Sequence, residues 1–403
     1  MNPWTRPLQR TWPMLLLLSR RSISVAFCHI ESSRSGGRHH KKLFGTSTTS
    51  EFTEALPFSN VPEVSIAIEA VRKAAKITEK IQKTIDTKGT LTKDDESPVT
   101  VGDFACQAIV LQHLRNNLPD GVTKTFLAEE KSSNLTPVLT EQILNAVSDT
   151  TSINDEETLR DCIDLGQSFF DADTIPSQFF CLDPIDGTKG FLRKEQYCIA
   201  LGLLEDGVPK VAVLACPNLP FEDDEEDSLD ARVGCIFVAC KGQGCYQLDM
   251  EGKVEPKRIG EGYNAEPPLA NKARFCVGVE QGFGDPTGKA KVMAQELHGS
   301  LDEATDDIKY ATRIDSQAKY GLVARGGGEF YVRLPRLDYE EWMWDVAPGV
   351  LVLQESGGII TDANGNDLDF TCGGKLSSNY GVLGARTKPL YDDLLAAYRS
   401  ANH

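Results

Sequence analysis

The sequence has few of the residues on which several common kinds of active site depend. Of its six histidines, three lie in the first 50 residues and one is the last residue, which leaves His113 and His298. Hydrolytic triads and histidine-rich zinc sites are therefore disfavoured. We expect both of these histidines to lie on helix surfaces, so that carboxylates would carry any catalytic chemistry.

Paired cysteines and long apolar runs are also missing. The eleven cysteines include no CxxC pair, and an odd count without framework spacing indicates a reducing compartment. Cys235, Cys240 and Cys245 are predicted to be small apolar residues of a hairpin-like region. The longest apolar run of the leader, Met14–Leu18, is five residues, too short to span a membrane, so no membrane contact is expected.

Positive charge is concentrated in the first 50 residues. These hold eight Lys and Arg and one acid, a net charge of +7, whereas the remaining 353 residues hold 34 basic and 58 acidic side chains, a net charge of −24. Such an acidic body disfavours binding to nucleic acid. Residues 1–50, rich in Arg and Ser, are typical of an organellar transit peptide, with the mitochondrion expected first and the plastid second. A basic tail without a targeting role is the alternative.

The body that follows has the alternation of a mixed α/β protein. Apolar residues at three- and four-residue spacing predict a long helix from Val61 and a second from Val101, which Thr100 would cap. Helices are also predicted at 137–150 and 156–166. From residue 177 onward, strands separated by Gly, Pro and Asn turns precede further mixed helices and strands.

We divide this body into three parts. Residues 51–220 form an N-terminal α+β half, and residues 231–403 a C-terminal α/β half. Between them, residues 221–230 include six consecutive carboxylates and are predicted to be a solvated loop insertion. Helices and strands interleave without strict βαβ alternation, which indicates a layered sandwich rather than a barrel.

The sharpest motif is LDPIDGTKGF at 182–191. Asp183 and Asp186 are held on a turn stiffened by Pro184 at the end of a strand, where they can converge on a pair of hard cations. The Ile185 carbonyl can supply a further oxygen. Taken alone, however, such a pair is more typical of turn-forming and capping aspartates than of a metal site.

Three other acids share this kind of setting. Asp103 lies in the first turn of a helix, Glu129 ends an apolar run, and Asp345 begins a helix behind a bulky Trp344. A carboxylate at the edge of an apolar segment is costly unless a cation or hydrogen bonds satisfy it. We expect Asp94, Asp95 and Glu130 to be solvated or one layer removed from any metal.

Together these segments resemble the lithium-sensitive, magnesium-dependent sugar-phosphatase superfamily that includes inositol monophosphatase, and within it the 3'(2'),5'-bisphosphate nucleotidases. The resemblance covers roughly residues 61–398. The motifs that carry it are SPVTVGDFACQ (97–107), LDPIDGTKGFLRKEQYCIALGL (182–203), CPNLP (216–220), DSQAKYG (315–321), FYVRLP (330–335) and WDVAPG (344–349). The fold that it implies is a five-layered αβαβα sandwich.

The resemblance also implies two to three Mg²⁺ ions. Glu129, Asp183 and the Ile185 carbonyl would hold the first ion, and Asp183, Asp186 and Asp345 the second. Asp103, with Glu129, would serve a third ion or the attacking water. Thr188, paired with Asp103, would orient and deprotonate that water for in-line attack on a phosphate ester.

Further residues match the positions at which the family holds its substrate. They are Gly187, Thr188, Ser316, Lys319, Arg333 and Asp345. Asp315 is expected to support its loop rather than to touch metal. The activity implied is hydrolysis of the 3'-phosphate of adenosine 3',5'-bisphosphate, with 3'-phosphoadenylyl sulfate as a second substrate and inhibition by Li⁺.

The chain departs from the family pattern just before Glu129 and around the base pocket. Ala128 replaces a usual Gly, Phe283 and Gly284 replace a His-Ser pair, and Val346 and Pro348 replace His and Ala. Metal chemistry is therefore better supported than substrate identity. An inositol polyphosphate 1-phosphatase is the nearest alternative, and a catalytically silent nucleotide or metal sensor is an alternative of another class. We expect a monomer.

Overall fold

The computed structural model places most of the chain beyond residue 55. It describes residues 56–58, 60–84, 91–92, 98–99, 101–166, 173–221, 233–260, 262, 266–280 and 285–402. Several predictions lie outside the described residues, namely those on residues 1–50, Asp94, Asp95, Thr100, the acidic run 222–230, Phe283 and Gly284. All the described residues belong to one compact unit.

Helices form the first layer of the fold, as the apolar periodicity predicts. They are α1 (Pro62–Thr84), α2 (Val101–Asn117), α3 (Pro137–Val147) and α4 (Glu156–Asp164). Two short strands, β1 (Leu91–Thr92) and β2 (Pro98–Val99), pair antiparallel between α1 and α2. The side chains of Thr136 and Asp155 cap α3 and α4 by accepting backbone N–H bonds, which fixes where these helices begin.

A seven-stranded sheet lies beneath these helices. Its strands are, in order, β3 (Phe126–Ala128), β4 (Gln178–Asp186), β5 (Cys198–Glu205), β6 (Val208–Pro220), β7 (Val233–Cys240), β8 (Gly244–Asp249) and β9 (Lys257–Ile259). Only the β3–β4 pair in this sheet is parallel. Successive residues face opposite layers, so Ile199 and Leu201 pack with α1 and α2 whereas Cys198 and Ala200 face the other side.

The second sheet has five strands. These are, in order, β11 (Ala311–Arg313), β10 (Phe275–Val277), β12 (Phe330–Arg333), β14 (Val382–Ala385) and β13 (Ile359–Thr361). Between the two sheets lie α7 (Ala318–Arg325) and α8 (Ala347–Glu355), which contact strands of both. This middle layer holds the core around Phe237, Leu351 and Tyr331.

Two helices close the far face of the second sheet. α6 (Lys289–His298) and α9 (Lys388–Ser400) pack on each other and on a third core that includes Phe275, Phe330 and Leu383. The order of layers is therefore helix, sheet, helix, sheet, helix. The predicted five-layered αβαβα sandwich is confirmed.

The seven-stranded sheet runs across the predicted boundary at 221–230. β7 pairs with β6 along Val211–Cys216, and β8 and β9 extend the same sheet. Residues 233–259 thus lie with the strands of the predicted N-terminal half. The hairpin predicted around Cys235, Cys240 and Cys245 is the β7–β8 pair, in which all three thiols are buried.

The prediction of a surface position for His113 is wrong. Its side chain is only 9 % exposed, and Lys73 Nζ donates to its Nδ1 at 3.0 Å. Burial and the charge of Lys73 lower the pKa of His113 to about 4, so the imidazole is neutral at physiological pH. His298 is half-buried, with Nε2 2.9 Å from the Ala273 carbonyl.

Among the described residues, no helix has the length and apolar character needed to cross a bilayer.

Candidate active site

An irregularity in β4 brings the two motif aspartates to one face of the sheet. In a regular strand, residues three apart point to opposite faces. Here Asp183 lies opposite Ala200 and Asp186 opposite Cys198, so three steps along β4 match two along β5. Since Ala200 and Cys198 share a face, this bulge turns both aspartates toward the middle layer of helices.

Asp183 is the centre of a group of carboxylates. It is 3 % exposed, and its Oδ1 accepts the Ile185 N–H at 3.1 Å. Burial raises the pKa of Asp183 well above its usual range, and the charges of neighbouring acids raise it further. Those acids are Glu129, Asp186, Asp345 and Asp103, the four other predicted metal-binding carboxylates.

Asp103 approaches this group from the first turn of α2. Its side chain is 2 % exposed. The preceding Gly102 lets the helix lie close to the turn, because a Cβ there would stand 2.8 Å from Ile185 Cδ1 and 2.9 Å from Phe191 Cζ. A helix amino terminus also favours a nearby negative charge. The sequence therefore places an acid where the helix start meets the strand end.

Glu129 follows directly after β3 and is half-buried. The backbone next to it is fixed by Gln107 of α2, whose Oε1 accepts the Glu130 N–H at 2.9 Å and whose Nε2 donates to the Glu130 carbonyl at 2.8 Å. Glu130 itself is only 2 % exposed, so of the two alternatives expected for it, solvated or one layer removed from any metal, the first does not hold. Gln107 is a support that the sequence analysis missed.

Burial and two neighbouring cations shift the pKa of Asp186 in opposite directions. Burial raises the pKa of Asp186, while the charges of Lys319 and Arg333 and hydrogen bonds from Gln317 lower it. Lys319 is 9 % exposed, and its Nζ donates to the Ile314 carbonyl at 3.3 Å. Burial lowers the pKa of Lys319. The two predicted phosphate-holding side chains thus lie beside the carboxylate group.

Gln317 connects three parts of the site. Its N–H donates to Asp186 Oδ2 at 2.6 Å, and its Nε2 donates to the Trp344 carbonyl at 2.8 Å. Its Oε1 accepts the N–H of Gly349 in α8 at 3.0 Å. Gln317 therefore ties Asp186 to the segment that carries Asp345. The sequence analysis did not single it out, although it lies inside the DSQAKYG motif.

Asp345 ends a 3₁₀ helix (Met343–Asp345) just before α8. Burial raises its pKa to about 7, although the charge of Arg333 and a hydrogen bond from Asp183 lower it. That hydrogen bond brings two of the carboxyl groups into direct contact. Arg333 makes a bidentate ion pair with Glu341, in which each of the two hydrogen bonds is 2.6 Å long. No sequence pattern identified Glu341.

Ser316 and Gly187 meet at a close backbone approach. Gly187 has φ +88°, and a Cβ there would lie 2.9 Å from Ser316 Cβ. Ser316 itself has φ +74°, a conformation that a non-glycine residue adopts at an energetic cost and often near functional sites. Gly187 precedes α5 (Thr188–Leu192), and Thr188 Oγ1 donates to the Ile185 carbonyl at 3.3 Å. The pairing of Thr188 with Asp103 stays a prediction.

Asp315 supports its loop, as expected. Its Oδ1 accepts the Val279 N–H at 3.0 Å, and its Oδ2 pairs with Arg193. Arg193 also pairs with Glu280 at 3.0 Å and thereby joins the end of α5 to the segment that follows β10.

The donor set suits a hard divalent cation. Five carboxylates share one partly buried region, an arrangement that is costly without compensating positive charge. Among the described residues, no group of three or more His, Cys, Asp or Glu side chains is closed at metal-ligand spacing. The case for a metal therefore rests on the oxygen donors and on the repulsion between them, which a cation would relieve. It does not rest on a preformed coordination cage.

Comparison with known proteins defines the class to which this fold and site belong. Residues 59–403 match the inositol monophosphatase family, and the chain belongs to that family. An IMPase from Thermotoga maritima has the same fold, with a TM-score of 0.54 at 16 % identity over 84 % of this chain and 98 % of its own. An inositol monophosphatase from Zymomonas mobilis aligns with a TM-score of 0.51 at 16 % identity over 85 % of this chain and 99 % of its own.

Similar curated proteins narrow the resemblance. The chain is 38 % identical over 359 residues, 83 % of its length, to a 3'(2'),5'-bisphosphate nucleotidase from Emericella nidulans, of which 96 % is covered. It is 35 % identical over 84 % of its length to a protein of the same name from Dictyostelium discoideum, with 96 % of that protein covered. The resemblance drawn from the motifs is thereby confirmed, and magnesium fits this family.

Proposed function

We propose that this protein is a magnesium-dependent phosphatase. It removes the 3'-phosphate of adenosine 3',5'-bisphosphate and releases AMP and phosphate, with 3'-phosphoadenylyl sulfate as a second substrate. The observation that carries the proposal is the meeting of five carboxylates around Asp183 beside two cations, Lys319 and Arg333. Membership of the inositol monophosphatase family and the names of the similar curated proteins support the same chemistry.

The carboxylates would hold two to three Mg²⁺ ions. The proposed ligands are Glu129, Asp183 and the Ile185 carbonyl for one ion, Asp183, Asp186 and Asp345 for a second, and Asp103 with Glu129 for a third. When bound, Mg²⁺ supplies Lewis acidity toward the phosphate ester and lowers the pKa of water. The Ile185 carbonyl accepts a hydrogen bond from Thr188, and a carbonyl oxygen has a second lone pair to offer a cation.

The cations of the chain would hold the substrate. Lys319 Nζ and the Arg333 guanidinium would donate to phosphate oxygens, as both already lie close enough to Asp186 to lower its pKa. The Ser316 hydroxyl and the backbone at Gly187 would complete the cradle. Their close approach and positive φ values leave little freedom for the loop to move.

Proton movement would use Thr188 and Asp103. In this proposal Thr188 Oγ1 orients the attacking water, and the Asp103 carboxylate takes up its proton. Asp103 is 2 % exposed, so bulk solvent competes little for that proton. The net charge of −24 beyond residue 50 excludes long polyanions more strongly than a small bisphosphate accompanied by Mg²⁺.

A phosphate-release panel tests the proposal. We expect Mg²⁺-dependent turnover of adenosine 3',5'-bisphosphate and its sulfated analogue, inhibition by Li⁺, and slower turnover of inositol bisphosphates. Faster turnover of the inositol bisphosphate would instead assign an inositol polyphosphate 1-phosphatase, an alternative raised by the altered residues Phe283, Val346 and Pro348. Nucleotide binding without any phosphate release would assign a silent sensor.

We extend the proposal to the cellular location of the protein and its oligomeric state. The +7 charge of residues 1–50 supports delivery to an organelle, with the mitochondrion first and the plastid second. A fluorescent fusion of the whole chain should reach that organelle, and the same fusion without residues 1–50 should not. We propose a monomer, to be checked by size-exclusion chromatography with light scattering.

A further inference from the structure

The Arg333 guanidinium lies between two acids of different kinds. Its Nε and Nη2 each donate to the Glu341 carboxylate at 2.6 Å, while Nη2 stands 3.4 Å from Asp345 Oδ2. The Glu341 pair is short and two-pronged, whereas the Asp345 contact is long. Arg333 is therefore held mainly by Glu341, although its Nη2 also makes a longer hydrogen-bonded ion pair with Asp345.

Glu341 is itself fixed by the backbone around it. Its carbonyl accepts the Leu376 N–H at 2.9 Å, and the Met343 N–H donates to the Gly374 carbonyl at 3.0 Å. The intervening Trp342 pairs with Lys375, whose Nζ lies 4.7 Å from the centre of the indole ring. With 4 % exposure, the Glu341 side chain has little room to follow a moving partner.

These contacts set up a competition for Arg333. Glu341 occupies the edge formed by Nε and Nη2, the edge that could otherwise make a bidentate pair with another carboxylate. Among the described hydrogen bonds Nη1 makes none, so that nitrogen is available to a phosphate oxygen. Without Glu341, the same edge would be free to close on Asp345.

We propose that Glu341 is a positioning residue that keeps Arg333 from forming a bidentate ion pair with Asp345. This keeps Asp345 available to a cation and Arg333 Nη1 available to the substrate phosphate. The inference rests on the proposed phosphatase function. It assigns Glu341 a role that acts through Arg333 and not by contact with the substrate.

The first test compares Glu341→Gln with Glu340→Gln, a matched change at the exposed neighbouring position. Glutamine keeps the shape of Glu341 but loses the charge that retains the guanidinium. We expect Glu341→Gln to raise the KM for adenosine 3',5'-bisphosphate and the half-saturating Mg²⁺ concentration by about 10- to 100-fold, the usual effect of losing a residue that orients a metal-site group. The value of kcat at saturating substrate and Mg²⁺ should fall far less, and Glu340→Gln should behave as wild type.

A double-variant cycle separates positioning from a merely structural role. If Glu341 acts through Arg333, adding Glu341→Gln to an Arg333→Ala protein should cause no further rise in KM. Effects that multiply would overturn the proposal. Glu341→Asp, which keeps the charge, should recover most of the lost affinity and serves as the folded comparison if Glu341→Gln is unstable.

Calorimetric titration with MgCl₂ gives a readout that does not need turnover. Glu341→Gln should bind Mg²⁺ more weakly than wild type, because Arg333 then competes for Asp345, and Arg333→Ala should restore the affinity in the double variant. Equal Mg²⁺ affinity in Glu341→Gln and Glu340→Gln would overturn the proposal. If the wild-type protein releases no phosphate from any substrate, only the proposed function is refuted. The titration with MgCl₂ tests the role of Glu341 independently of turnover.

Discussion

Asp183→Asn should separate the stability of the metal-free fold from its function. Asp183 is 3 % exposed and hydrogen-bonds to Asp345, and burial together with the neighbouring acids raises its pKa, which favours its protonated, donating form in the absence of a cation. Asparagine has nearly the same shape, can donate the same hydrogen bond through its Nδ2 and carries no charge. We therefore expect the variant to be more stable than wild type in EDTA, yet inactive.

The size of the effect follows from the charges that surround Asp183. Two like charges about 4 Å apart repel by about 4 kcal/mol at an effective dielectric constant of 20, and protonation relieves part of that cost. A gain of about 1–4 kcal/mol corresponds to a rise in Tm of about 1–6 °C for a chain of this length. Burial and neighbouring acids raise the folded pKa of Asp183, so the wild-type protein loses stability as the pH rises above about 4. The difference in stability between Asp183→Asn and wild type should therefore grow with pH.

Magnesium should reverse the order of the two proteins. A ligand at 100 times its Kd stabilises the wild type by about 2.7 kcal/mol, or about 4 °C, whereas the variant should gain little. Turnover of adenosine 3',5'-bisphosphate should fall by at least about 10²-fold. Thermal unfolding in EDTA and in excess Mg²⁺, with phosphate release on the same samples, measures all of these quantities.

A second buried aspartate provides the control. Asp362 is 1 % exposed, and its Oδ1 accepts the backbone N–H groups of Asn364 at 2.9 Å and Asn366 at 2.8 Å. Asp362→Asn should therefore destabilise the protein by about 1–3 kcal/mol and leave kcat unchanged. The reasoning about Asp183 is refuted if Asp183→Asn lowers the Tm in EDTA as Asp362→Asn does, or if it retains Mg²⁺-dependent turnover.

Other substitutions probe separate parts of the argument. Lys319→Ala should raise KM about 10- to 100-fold with a smaller effect on kcat, since a charged hydrogen bond to phosphate is lost; an unchanged KM in steady-state assays would remove Lys319 from the site. Gly102→Ala would bring its Cβ to 2.8 Å from Ile185 Cδ1, so we expect a loss of about 1–3 kcal/mol and a lower kcat, and a melting curve equal to wild type would contradict that packing. For His113, a folded pKa of about 4 means that the unfolded chain binds more protons between pH 6.5 and 4, so acidification should cost wild type about 3 kcal/mol through this group. Urea unfolding at several pH values should show a flatter profile for His113→Gln, and parallel profiles would count against the assignment.

The sequence predicts elements better than it predicts their neighbours. α1 and α2 are foreseen because their apolar spacing is a local property, and the five candidate metal-binding acids are singled out because each lies at a segment end. Gln317 and Glu341 escape such reasoning, since their roles depend on partners brought close by the fold. The Gln317 N–H bonds a carboxylate 131 residues away along the chain. In the same way, the burial of His113 comes from Lys73 and other neighbours on α1, which no pattern within α2 reveals.

The same contacts explain why Asp183 needs an external cation more than the other acids do. Lys319 and Arg333 offset the charge of Asp186, and Arg333 offsets that of Asp345. Among the described residues, the four neighbouring charges that most strongly shift the pKa of Asp183 are all carboxylates. The protein therefore supplies its own cations beside Asp186 and Asp345, whereas the neighbouring charges that raise the pKa of Asp183 are all acidic. An ion bound by Asp183 would relieve this repulsion between neighbouring acids, which supports the proposal that Asp183 binds metal.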